Sequence, residues 1–371
     1  MAVHLPIEQV LTIGVEEEFV LADTSTRITV PRAPEVLEKM ARQLGPRAQQ
    51  EFYATQVEIC SEPHLSAAKL RSDLAAARKV AADAAAGAGC LLVASGTSVL
   101  TPGSLSVMDE PRYHRMAALL ASLVAGADSE LSGCHIHLGT VDRSEALALA
   151  AGLRPWLPVI QALAANSPFS AGRDRGCASW RGVDYRRWPT VGPAPALDES
   201  EYEAAVAGLV DSGTILDRKM LLWYARPSER WPTLEVRVAD VNADLDVTIL
   251  IAILLRGLAT TVLAEARAGR SPEQVADAPL ADAHDQAARH GMDAFTVNTA
   301  GEHVPMTTRL GELIGRALPG LRAAGDVELT HRLLGSLYAH RTGAERQRAW
   351  FAARSSLADV VDNLARTTAT P

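Results

Sequence analysis

No two of the four cysteines (Cys60, Cys90, Cys134, Cys177) form a CxxC pair. A zinc knuckle is therefore unlooked-for, disulfides are not expected, and buried inert thiols are the default. The chain has no GxGxxG after a strand pattern and no GxxxxGK[ST], so any nucleotide must be held by means other than Rossmann or P-loop chemistry. It also lacks a basic stripe. Its 371 residues carry 36 Lys and Arg against 44 Asp and Glu, a formal net charge of −8. That balance argues against a nucleic-acid surface and fits work on small molecules. No Pro/Gly/Ser-rich or charge-rich linker divides the chain, so one domain over 1–371 is expected, with a helical C-terminal portion from about residue 246. The opening MAVHLPIEQVLTIG has no basic segment followed by an apolar one, so no signal peptide is expected and a cytoplasmic protein is. One run, VTILIAILLRGLATTVLA over 247–264, is long enough to suggest a membrane span. Arg256 and Gly257 interrupt it and charged residues flank it, so it reads as a buried core helix.

What is present alternates strand and helix patterns irregularly. Strand patterns fall at 12–21, 51–60, 90–95, 132–139, 221–225 and 233–239. Helices are expected at 34–44, from the Ser66 cap to Gly87, at 112–124, after Asp142 or Ser144, at 159–165, at 199–211 and through most of the last hundred residues. An α+β fold with a mainly antiparallel sheet fits this order better than a βαβ chain. Residues 166–195 form a long irregular stretch, and loops of that length are commonly functional.

Four of the strands share a feature. Side chains two apart on a strand point to one face. Glu16 and Glu18 therefore face together, as do Gln56 and Glu58, His135 and His137, and Glu235 and Arg237. Val15, Glu17, Phe19, Val57, Ile59, Cys134, Ile136, Leu138, Val236 and Val238 fall on the opposite, core-directed side. Glu17 is thus expected to be indifferent to anything bound by its two neighbours. A sheet face this rich in carboxylates repels itself unless a cation sits there. Mostly oxygen donors with one or two imidazoles suit Mg²⁺ or Mn²⁺ better than zinc. HxH on a strand is also a zinc-hydrolase pattern. The 166–195 stretch adds Arg173, Arg175, Arg181, Arg186 and Arg187 with Trp180 and Trp188. Guanidinium forks grip carboxylates and phosphates, so one or two of these arginines over an acidic face would serve phosphoryl transfer. The turn SGTSVLTPGSLS (95–106) reads as a plain turn, with a phosphate cradle as the alternative.

The strings TIGVEEEFVL, QVEICSEP, SGCHIHLG, ANSPFSAGRDRGCASWRG and TLEVRVADVNADLD resemble, in order and spacing from residue 12 to 265, the motifs of the carboxylate–amine ligases of glutamate–cysteine ligase type 2. NTAGEHVP (298–305) is similar to that family's late turn. The resemblance implies a glutamine-synthetase-like α+β fold whose curved antiparallel sheet forms a funnel for ATP and metal ions. It implies Mg²⁺ or Mn²⁺ held by Glu16, Glu18, Glu58, His135 and Glu235, with Glu235 and Arg237 catalytic and Arg175, Arg181 and His137 meeting substrate. The reaction implied has two steps. ATP phosphorylates a carboxylate, and an amine then displaces phosphate; glutamate with cysteine or another amine is the expected pair. A homodimer is the assembly suggested. Where relatives carry a GTHP-like turn, this chain has Gly96-Thr97-Ser98-Val99, which bears on the amine more than on the reaction. A zinc-dependent amidohydrolase using His135 and His137, and a nucleotide-binding relative without catalysis, are the alternatives.

Overall fold

The strand at the centre of the molecule is the one with alternating glutamates. A computed structural model describes residues 10–371 apart from 141, 274 and 299. The first nine residues, on which the leader-peptide expectation partly rests, and Thr299 of the late turn lie outside the described set. In chain order the strands are β1 (Ile13–Asp23), β2 (Ala48–Gln50), β3 (Gln56–Cys60), β4 (Cys90–Val93), β5 (Gly133–Gly139), β6 (Phe169–Ser170), β7 (Arg173–Asp174), β8 (Ala225–Pro227), β9 (Thr233–Asp240), β10 (Phe295–Val297) and β11 (His303–Pro305). Seven of them form one sheet in the order β2-β3-β1-β5-β9-β8, with β4 also on β1, and every pairing is antiparallel.

Register brings the four patterned strands into one array. Glu16 pairs with His135 and Glu18 with Glu58 across β1, while His137 pairs with Glu235 across β5–β9. Because alternation is strict, matching one polar residue to another puts the whole polar set on one face. Apart from Glu17, the opposite face is apolar. Val15, Phe19, Val57, Ile59, Ile136, Leu138 and Val236 are at most 1% exposed and pack on helices.

The run over 247–264 lies within the helix Leu245–Arg267, capped by Asp244 and buried along nearly its whole length. It passes the length and hydropathy test for a membrane span, but it is the central rod of the core. Its Arg256 is buried, donating to the Asp326 carboxylate and to Leu65 O. The helix Met306–Ala324 crosses it so closely that a Cβ on Gly320 would meet Gly257 O at 2.3 Å. One continuous hydrophobic cluster joins the sheet to these C-terminal helices.

Two expected elements are divided. Residues 51–55 are not strand: a turn closed by Gln56 N to Tyr53 O separates β2 from β3. The helix expected over 112–124 is Pro111–Leu119 and Ala121–Ala125, broken where Leu120 buries itself beside Ile215 and Met220. Caps read from sequence hold: Ser66 and Asp142 each accept a hydrogen bond from the N–H three residues on.

Candidate active site

The polar face of the sheet floors a cavity of about 860 Å³ lined by Glu16, Glu18, Glu58, His135, His137, Glu235 and Arg237. Two groups of ligand atoms lie there, each within 4.8 Å, Glu16 with His135 and Glu235, and Glu18 with Glu51 and Glu58; a third, Glu16 with Glu58 and Cys60, reaches to its edge. The structure thus brings together every metal-binding residue the resemblance implied.

His135 is the hub. Its Nδ1 lies 3.3 Å from Glu16 Oε2 and 3.8 Å from Glu235 Oε1, and its Nε2 lies 3.4 Å from Glu18 Oε1. Burial, reinforced by the Arg237 charge, lowers its pKa and favours the neutral ring. His137 places Nδ1 2.8 Å from Thr233 Oγ1 and Nε2 3.2 Å from Glu16 Oε1. Burial alone would favour its neutral form, but the Glu16 carboxylate outweighs that and raises its pKa. Each Nε2 thus faces a carboxylate, that of Glu18 for His135 and that of Glu16 for His137.

The carboxylates divide by environment. Burial opposes ionisation of Glu16 and Glu235, yet both pKa values are lowered, Glu16 by hydrogen bonds from His135 and His137, Glu235 by Arg226 and Arg237. Glu58 and Glu51 find less relief, the Phe52 N–H and the Arg237 charge offsetting only part of the shift at Glu51. Burial and then neighbouring carboxylates push Glu58 well up and Glu51 up to about 7. Carboxylates crowded this closely form a set that a divalent cation would relieve. Five carboxylates around one or two imidazoles fit a hard oxygen-preferring ion.

Two of these groups were not evident in the sequence. Glu51 enters the cavity because the 51–55 turn carries it out of strand register. Arg226 pairs with Glu235 at 3.1 Å across the β8–β9 hairpin, a contact that counting back from the SERWP turn would have found. Between Cys134↔Ala239 and Ile136↔Val236, β9 carries one residue more than β5. Such a bulge re-aims side chains, and Arg237 here ion-pairs with Glu235 while its Nε stays buried and unpartnered.

The arginine-rich stretch resolves unevenly. Asp240 accepts from Asn166 N at 2.9 Å, Ser167 Oγ at 2.7 Å and Ser179 Oγ at 2.9 Å, pinning the loop to the end of β9. Arg181 is thereby laid over the sheet, bonded to the Arg237 carbonyl at 3.1 Å and stacked on Tyr185. It crosses at Gly133, where a Cβ would come within 2.5 Å of its Nη2. Arg187, Tyr185 and Trp188 also line the cavity. Arg175 does not join them: its guanidinium bonds Asp128 and stacks on Trp180, outside the cavity. The 95–106 turn is no open cradle at its start, since Ser95, Thr97 and Ser98 are buried with their hydroxyls bound to Asn166 O, Phe169 O and Glu130. A second cavity of about 630 Å³, bordered by Cys60, Trp231 and Arg47, shares Glu16 and His137 with the first.

On the other face of β1, Glu17 is fully buried against Arg78, 2.6 Å away, and accepts from Thr248 Oγ1. Arg78 also donates to Asn242 O and Ala243 O.

Residues 12–363 match the model of glutamate–cysteine ligase family 2. A protein of Salinispora arenicola named "Putative glutamate--cysteine ligase 2" is 40% identical over 340 residues, 91% of this chain and 89% of that one. A Mycobacterium sp. (strain KMS) protein, named as form 2-2 of the same ligase, is 38% identical over 360 residues, covering 96% of this chain and 98% of its own. Among solved structures, the glutamate–cysteine ligase of Francisella tularensis in complex with AMP superimposes with a TM-score of 0.69 at 10% identity, over 98% of this chain and 90% of that one. The bifunctional glutathione synthetase of Pasteurella multocida gives 0.69 at 14% identity over 97% of this chain, which spans about half (52%) of that protein.

Proposed function

The chain belongs to glutamate–cysteine ligase family 2, and we propose that the 860 Å³ cavity is where its ATP-dependent ligation of a carboxylate to an amine takes place. The observation that carries this reading is the convergence of Glu16, Glu18, Glu51, Glu58 and Glu235 on one cavity, where burial and neighbouring carboxylates raise the pKa values of Glu51 and Glu58. Glu16, Glu18, Glu51, Glu58, Glu235 and His135 would hold Mg²⁺ or Mn²⁺, which when bound neutralises the phosphate oxygens of ATP.

The protein's own groups do the rest by position and charge. Arg237, tethered by Glu235, aims a donor into the cavity where charge develops on the transferring phosphoryl group, and Arg181 adds a second guanidinium from above. Glu235 fixes Arg237 and Arg226 together, so its role joins metal binding to arginine placement. His137, held by Thr233 and Glu16, sits where the two cavities meet and is suited to contact substrate there. The substrate carboxylate takes the γ-phosphoryl group, and the amine nitrogen then attacks the acyl carbon and expels phosphate. The relatives' names support glutamate with cysteine as the first pair to try, other small amines next, in the ATP-rich cytoplasm.

Phosphorus NMR of the products with Mg²⁺, ATP and a panel of carboxylate and amine pairs tests this. ADP and inorganic phosphate are expected; AMP with pyrophosphate would rule out the acyl phosphate, and amide cleavage without ATP would favour a hydrolase.

A further inference from the structure

The larger cavity is not polar throughout. Off the strands, Phe52, Tyr113, Met116, Trp188 and Leu222 line it. Phe52 holds this group together, for the Tyr113 ring meets it edge-on at 5.7 Å and the Trp188 ring at 6.0 Å. Phe52 is buried, whereas Tyr113, Met116, Trp188 and Leu222 are only half-buried. Four apolar side chains left partly uncovered around a cavity form a wall that an apolar group can cover. The wall is tied to the acids. Phe52 follows Glu51 and donates its N–H to Glu51 Oε2 at 3.2 Å, and the Tyr113 hydroxyl donates to Gln50 O at 3.1 Å. A group lying against these rings therefore lies beside the set formed by Glu18, Glu51 and Glu58.

Charge on this side suits an amine better than a nucleotide. The guanidiniums next in sequence to the rings are already closed on carboxylates, Arg112 on Asp217 at 2.7 and 2.8 Å and Arg187 on Asp184 at 2.9 Å. Neither fork is open to a phosphate, and Glu110 and Asp184 add carboxylates to the lining. At neutral pH an amine is mostly ammonium, which carboxylates and ring faces attract. A cysteine side chain, one methylene and a thiol, would leave most of the wall uncovered. We propose that the amine taken by this ligase carries an aryl or comparably large apolar group, seated against Phe52, Tyr113 and Trp188, and that cysteine is a poor substitute. This rests on the ligase reading and adds the class of its second substrate. The new C–N bond forms as the acyl carbon loses its bond to the phosphate oxygen, giving amide, inorganic phosphate and a proton released to solvent. An apolar pocket discriminates by about 10–200-fold per methylene, so the preference should be large.

The test uses the full chain and two variants checked for folding by circular dichroism: Trp188→Ala, which removes part of the wall, and Met116→Trp, which fills the space before it. Phenethylamine and phenylalanine carry the same ring without and with a carboxylate, and cysteine is the comparison. Calorimetric titration with Mg²⁺ measures binding, and it is repeated with ADP present. At least one aryl probe is expected to bind wild type about tenfold or more tighter than cysteine, whether or not ADP is there, and about tenfold or more weaker to either folded variant. With Mg²⁺, ATP and glutamate, kcat/KM from ADP release should follow the same order. Cysteine binding as tightly as both aryl probes, aryl binding unchanged in a folded variant, or cysteine giving the higher kcat/KM overturns the proposal. Loss of aryl binding on adding ADP also overturns it, since the rings would then be holding the nucleotide base. Aryl binding that meets every expectation, with no ADP released from any pair, would uphold the apolar subsite while rejecting the ligase reading.

Discussion

Glu16, Glu17 and Glu18 are consecutive, yet the two faces of β1 treat them oppositely. Glu17 meets Arg78 and Thr248 in a pocket closed by backbone carbonyls, its charge balanced within the protein. Glu18, across from Glu58, belongs to a carboxylate cluster that has no such balance. A buried acid with its own arginine is part of the fold, and a buried acid without one leaves a place for something else. Glu16 and Glu235 stand between these cases, partly balanced by histidines and arginines.

Removing the balance on the closed face should produce the largest effect. Arg78→Ala leaves Glu17 charged and unpaired in the core, a loss of roughly 3–5 kcal/mol, measurable by denaturant unfolding. Next in size is chemistry on the open face. Glu235→Gln and Arg237→Ala should lower ADP release by about 10²–10³-fold, with circular dichroism unchanged. The carboxylates differ in what they do without ligand. Glu58→Gln should leave the metal-free protein no less stable than wild type, because repulsion is removed. Glu235→Gln should cost stability, because Arg226 and Arg237 lose their shared partner.

The same cluster sets a pH dependence. A carboxyl whose pKa is raised on folding, as Glu51's is to about 7, binds more protons folded than unfolded. Its contribution is complete below the unfolded value of about 4.3 and fades as pH rises through 7. Melting temperature without metal should therefore fall between pH 5 and 8, and Glu51→Gln should flatten the slope. The smallest effect is expected at Arg175, outside the cavity and tied to a partly exposed Asp128. Arg175→Ala should cost about 0–1 kcal/mol and leave turnover unchanged, whereas Arg181→Ala should raise KM.

Much of this site could be read from the strands because a period of two assigns faces without knowledge of the fold. Glu16, Glu18, Glu58, His135, His137 and Glu235 each fell on the face they occupy. Alternation also sent Glu17 and Cys134 to the far side, but it could not supply Arg78, 61 residues away on a helix. Glu17 therefore looked like an idle control when it is a buried structural charge. Glu51 was hidden by a turn inside an apparent strand, and Arg226 by a hairpin register that depends on turn length. Arg175 and Arg181 looked equivalent because loop path is set by long-range bonds. Here those are the ones Asp240 makes to Ser167 and Ser179, and they carry one arginine over the sheet and leave the other outside.

The most direct measurement is the rise in melting temperature on adding Mg²⁺ and ATP, compared between Glu17→Gln and Glu58→Gln. A ligand that binds only the folded chain stabilises it according to its affinity. Glu17→Gln should start well below wild type and keep the full rise. Glu58→Gln should start no lower than wild type and lose most of it. An equal rise in the two variants would contradict the division of β1 into a closed structural face and an open cation-binding one.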